Sequence, residues 1–111
     1  MRIRIKQRGK PAILITFHID SEKFESPSER TKFFEKLYGR RQIIRKEKKV
    51  YEYHREGVLD TMNHIKVDNS VFIIAMQHME RMMRFFDEWE EKVMVNSFPV
   101  LLDKKQIKKI E

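Results

Sequence analysis

The segment Lys49-Val50-Tyr51-Glu52-Tyr53-His54-Arg55 interleaves cations and aromatic rings at alternate positions. Read as a strand, whose successive side chains point to opposite faces, it puts Lys49, Tyr51, Tyr53 and Arg55 on one side. That combination suits a single-stranded nucleic acid. Bases stack on the rings for about 1–3 kcal/mol each, while the cations pair with phosphates. The competing arrangement turns both tyrosines into a core and leaves Val50, Glu52 and His54 facing solvent. Arg40, Arg41, Arg45, Lys46 and Lys48 lie just upstream and add positive field in either arrangement.

A second ladder, Arg2, Arg4, Lys6 and Arg8, occupies alternate positions at the start of the chain. Its members stand roughly 6.6 Å apart along one face of a strand. Such a ladder tracks a phosphate backbone and releases counterions without reading sequence. The same residues equally describe an edge strand guarded by charge against aggregation.

Acid/base or metal chemistry has fewer carriers. His18 and Asp20 share a strand face, and Asp60 and His64 are four residues apart. A metal held at Asp20 would activate water for phosphodiester cleavage, but no HxH or HExxH spacing accompanies it. The 111 residues include no cysteine, which removes thiolate metal sites, thiol nucleophiles and disulfides. Glycine occurs only at 9, 39 and 57, too sparsely for a phosphate-cradling loop, so no cofactor and no metal is expected.

Charge is distributed unevenly. The chain carries +7 overall, with residues 1–10 and 40–55 contributing +5 each and everything else −3. A one-sided basic surface and a polyanionic partner follow from that asymmetry. Abundant Ile, Lys and Glu also fit a heat-adapted source, which explains the charge count though not its clustering. No apolar run reaches the ~18 residues of a membrane span, so no membrane partner and a soluble, cytoplasmic location are expected.

The elements that position these residues follow from periodicity. Arg2 to Lys6 alternates as a half-buried strand with Ile3 and Ile5 inward, and Arg8-Gly9-Lys10-Pro11 reads as a turn. Ala12 to Ile19 is an apolar central strand covered on both faces. Ser26-Pro27-Ser28-Glu29 is a capping box that opens a helix running to Tyr38, with Phe33, Phe34 and Leu37 on its buried stripe and Gly39 ending it. Ile43 and Ile44 begin either a helix or a strand, whereas Val50 to Arg55 favours a strand. Val58 to His64 holds a single helical turn, and Ile65–Val67 pairs with Ser70–Met76 across Asp68-Asn69. Met79, Met82, Met83, Phe86 and Trp89 mark a helix over 77–92. Val93–Val95 and Phe98–Leu102 read as edge strands interrupted at Asn96-Ser97, and Asp103 caps a short basic tail helix.

The expected fold is α+β: a ferredoxin-like βαββαβ antiparallel sheet with two helices on one face, plus an extra N-terminal strand. It forms a single domain over residues 1–111, with 103–111 as a short basic C-terminal tail; a winged helix would need a third core helix. The expected function is a small, non-enzymatic nucleic-acid-binding protein that grips DNA or RNA, single strands slightly favoured, through the residues above. Two other classes are open. One is an assembly module, a homodimer joined by complementary basic and acidic faces, and the other is a metal-dependent nuclease centred on Asp20.

Overall fold

The apolar run after Gly9 becomes strand β1, Lys10–Ile19, and organises one of the two units into which the chain divides. The computed structural model describes residues 9–110. Among the described residues the first unit comprises 9–19 and 63–110, and the second is Asp20–Met62.

In the first unit β1 is flanked by β5, Val71–Ala75, and β6, Val93–Leu102, with β4, His64–Asp68, beyond β5. The order is β4-β5-β1-β6 and every neighbouring pair is antiparallel. Because strand side chains alternate, β1 sends Ile13, Ile15 and Phe17 to one face and Ala12 and Leu14 to the other. On the first face Phe17 meets Phe72 of β5 and Phe86 of helix α2, Met79–Asp87, with ring centroids 6.4 and 5.7 Å apart. On the second face Ala12, Ile73, Ala75 and Leu102 form a cluster with Ile110 of helix α3, Lys104–Ile110. The sheet is thus covered by α2 on one side and, over part of its area, by α3 on the other.

The second unit holds helix α1, Pro27–Tyr38, and a separate two-stranded sheet of β2, Arg40–Lys46, and β3, Lys49–Arg55. Ser26 Oγ accepts from the Glu29 backbone N–H at 3.2 Å, and Pro27 sits in the first turn. Those features start α1 where the capping box predicts. The Glu29 carboxylate reaches one residue further back than the motif implies and accepts from Glu25 N–H at 3.3 Å. Phe33 and Leu37 are fully buried, with Phe24 against Phe33 edge to face.

Several expectations are corrected. Lys10 and Pro11 belong to β1 rather than to a turn, paired with Leu102 and Leu101. Pro11 is tolerated because β5 pairing stops at Ala12, so no ladder partner is lost on that side. Asn96 and Ser97 do not interrupt β6; they pair with Thr16 and Ile15 in a continuous ten-residue strand. The regular part of α2 is nine residues, with a 3₁₀ turn before it and i to i+3 turns from Glu88 to Lys92 after it. Phe85 is buried with Met82 and Phe86, while Met79 and Met83 are only partly covered. The short basic tail helix expected after Asp103 spans Lys104–Ile110. Asp103 caps it through Gln106 N–H at 2.9 Å, and Ile107 and Ile110 pack on the sheet. The strand expected over residues 2–6 lies outside the described residues.

Ile110→Ala should therefore lower the unfolding free energy by about 2–4 kcal/mol in urea denaturation, the range for truncating a buried aliphatic side chain. A peripheral tail would show no change.

Candidate nucleic-acid interface

Asp20–Met62 carries the ribbon formed by β2 and β3, joined by the two-residue turn Glu47-Lys48. Glu47 has φ 58°, the positive value that a two-residue hairpin turn requires to match strand twist. Register runs from Arg40↔Arg55 at the base to Lys46↔Lys49 at the tip. Opposed residues share a face, so Arg40, Gln42, Ile44 and Lys46 of β2 join Lys49, Tyr51, Tyr53 and Arg55 of β3 on one side. The other side carries Arg41, Ile43, Arg45, Val50, Glu52 and His54.

The two sides differ in charge. The first holds four cations and no carboxylate. On the second, Arg41 is ion-paired with Glu52, which compensates part of its charge. At the base of the first face Arg55 Nε donates to Gln42 Oε1 at 2.9 Å, and Arg40 Nη1 lies 3.4 Å from Glu35 Oε2. Between the cationic ends stand Tyr51 and Tyr53, 41% and 50% exposed, with ring centroids 6.5 Å apart and planes within 23° of parallel. Neither tyrosine enters a core; every residue of β3 is exposed, Val50 at 65%. At ~3.4 Å per residue the face is about 20 Å long, with cations at both ends and rings between.

The base of the ribbon is closed by two glycines. A Cβ on Gly57 would collide with the Gly39 nitrogen and come within 2.5 Å of the Leu37 carbonyl oxygen. A Cβ on Gly39, whose φ is +85°, would strike the Asp60 carboxylate and lie 2.7 Å from the Arg55 carbonyl oxygen. Both N–H groups are satisfied: Gly39 donates to Glu35 O at 2.7 Å and Gly57 to Asp60 Oδ2 at 2.8 Å. The same Asp60 oxygen lies 3.2 Å from His54 Nε2, so one carboxylate ties the return of β3 to the short turn Leu59–Thr61.

Arg40, Lys46, Lys49, Tyr51, Tyr53 and Arg55 are thus brought together on one face, Lys48 lies in the turn beside them, and Arg41 and Arg45 are on the reverse. Arg2, Arg4, Lys6 and Arg8 lie outside the described residues. Gln42 and Ile44 share the face and were not singled out in the sequence; only the pairing of β2 with β3 places them there. Asp60 contacts His54 rather than His64. Asp20 caps a short turn by accepting from Glu22 N–H at 3.3 Å, with Lys23 3.9 Å away. Among the described residues no three His, Asp or Glu side chains converge into a metal-binding group, and no helix is long and apolar enough to cross a membrane. Compared with protein-family models, curated proteins and solved structures, the chain matches none of them.

Gly57→Ala should destabilise the protein by about 2 kcal/mol or more, because the added methyl meets backbone rather than a movable side chain. Hydrogen exchange should show the loss concentrated in the amides of β2 and β3. Unchanged exchange there would mean that the ribbon base does not depend on the glycine contact.

Proposed function

We propose that this protein binds nucleic acid through the basic and aromatic face of its β2–β3 ribbon, gripping phosphates with Arg40, Lys46, Lys49 and Arg55 and stacking bases on Tyr51 and Tyr53. The observation that carries the reading is the composition of that face: four cations and two exposed near-parallel rings, with no acid among its strand residues and one, Glu35, against Arg40 at its base. On this face Ile44 and both tyrosines are exposed, forgoing burial worth about 1.5–3 kcal/mol for a large apolar side chain, while Ile43 and Val50 are exposed on the reverse. Apolar side chains left exposed side by side are in keeping with that reading.

Single strands are the preferred ligand on this reading. In a duplex the base faces are stacked on one another and closed to tyrosine, whereas unpaired bases offer them freely. The cations alone would serve duplex and single strand alike. The strand order β4-β5-β1-β6, antiparallel throughout, supports the ferredoxin-like reading of the sheet, with the ribbon as an insertion before β4. Fold alone assigns no ligand, so the proposal rests on the ribbon.

Fluorescence anisotropy with labelled oligonucleotides tests this directly. Single-stranded DNA or RNA should bind with a log Kd that rises with log salt at a slope of about 3 or more, from four phosphate contacts at ~0.7 each. Lys46→Gln/Lys49→Gln should reduce that slope by about 1.4. Tyr51→Ala/Tyr53→Ala should weaken binding by about 2 kcal/mol or more while leaving the slope unchanged. Equal affinity for duplex and single strand would remove the stacking component, and no binding at low salt would remove the proposal.

A further inference from the structure

The outermost strand of the larger sheet, β6, carries no charged residue over its ten positions, in a chain that is 37% charged. Edge strands of monomeric proteins are commonly kept apart by lysines, bulges or short length. β6 has an unbroken register with β1 from Ile19↔Val93 to Lys10↔Leu102, and no other described strand pairs with its outer side.

The direction of its backbone groups follows from the pairing. Phe17 N–H donates toward β5, to Ser70 O at 3.0 Å, so odd residues of β1 address β5 and even ones address β6. The even residues pair with Met94, Asn96, Phe98, Val100 and Leu102. Val95, Ser97 and Leu101 therefore direct their N–H and C=O groups outward, while Val93 N–H donates to Trp89 O at 2.9 Å. Pro99 falls in the same outward series, where its missing N–H breaks no bond to β1. On the sheet face whose far end is covered by α3, Met94 and Phe98 are 66% and 51% exposed.

We infer that β6 pairs antiparallel with β6 of a second copy of this chain, about a two-fold axis at Asn96. An antiparallel edge is self-complementary under a two-fold axis, which makes a second copy a natural occupant. With Asn96 opposite its own equivalent, Val95 exchanges both hydrogen bonds with the partner's Ser97, and Ser97 with the partner's Val95. Val93 lies opposite the partner's Pro99 in this register, a pair that adds no hydrogen bond because Val93 N–H is held by Trp89 O and proline has no N–H. The pairing therefore rests on the four bonds between Val95 and Ser97. Met94 then faces the partner's Phe98 in the non-hydrogen-bonded type of pair, where side chains approach most closely, and a thioether against a ring is favourable. That contact occurs twice per dimer. The strand offers no cation to a phosphate, which separates it from the ligand of the ribbon; the positive excess lies in residues 1–10 and 40–55.

Cysteine cross-linking tests both the dimer and its register, because the chain has no thiol of its own. In the full-length variant Met94→Cys/Phe98→Cys the two sulfurs of one chain are held about 14 Å apart along the strand and cannot bridge. Mild oxidation should convert most of this variant to a covalent dimer. An equimolar mixture of Met94→Cys and Phe98→Cys should cross-link as well, and each single variant alone should yield less than a tenth as much. In sedimentation equilibrium the unmodified protein should dimerise reversibly. Phe98→Lys should raise the dimer Kd at least tenfold with little change in monomer unfolding, whereas Leu101→Lys, outside the paired segment, should leave it unchanged. A wild-type protein monomeric at every concentration, equal cross-linking by the single variants, or no effect of Phe98→Lys would each overturn the inference.

Discussion

The ribbon begins and ends where the backbones of Gly39 and Gly57 approach too closely for either residue to carry a side chain. That contact fixes the point at which β2 leaves α1 and β3 returns, and hence the register Arg40↔Arg55 from which the rest of the ribbon is counted. The two N–H groups at the crossing are bonded to Glu35 O and Asp60 Oδ2, so the close approach leaves no donor orphaned. A two-stranded hairpin by itself is marginal in water. Here steric closure and a shared carboxylate hold its base, and both of its faces are free to meet solvent or a ligand.

Freedom from a core has a chemical consequence. Side chains that in a half-buried strand would divide into apolar inside and polar outside can instead combine rings and cations on one face. Lys46, Lys49 and Arg55 surround Tyr51 and Tyr53 without a competing carboxylate, Arg40 is ion-paired with Glu35 of α1, and Glu52 is confined to the reverse, where it holds Arg41. Mutual repulsion of four cations also discourages two such ribbons from pairing with each other. The β6 edge is the opposite case, an apolar strand with unspent backbone donors and no charge to repel its own copy. The two exposed surfaces therefore differ in charge, one cationic and the other uncharged.

Elements whose signals are local are recognisable in the sequence. The Ser26-Pro27-Ser28-Glu29 cap, the apolar runs at 12–19 and 71–75 and the alternation through Tyr51 and Tyr53 each depend on residues within a few positions of one another, and each has the expected form. Elements that depend on distant pairing are not. Ile43 and Ile44 sit among charges and carry no decisive period, so β2 becomes a strand only through β3. Asn96-Ser97 has the composition of a break, yet β1 supplies a ladder on one side and the strand continues. The last turns of the predicted α2 lose their α pattern although the spacing of Met82, Phe86 and Trp89 continues through them.

By itself the sequence determined which residue types are available for chemistry: no thiols, three glycines, two basic segments, and tyrosines alternating with cations. It also determined the α+β class, because period-two and period-3.6 patterns are written in neighbouring residues. Only the tertiary structure decided which of those residues share a surface. It set Arg40 and Lys46 beside Tyr51 and Tyr53 but Arg41 and Arg45 behind them, placed the tail's Ile107 and Ile110 on the sheet, and left the outer side of β6 without a described partner. Those outcomes turn on register and face, and a shift of one residue in either strand would have exchanged every inward side chain for an outward one.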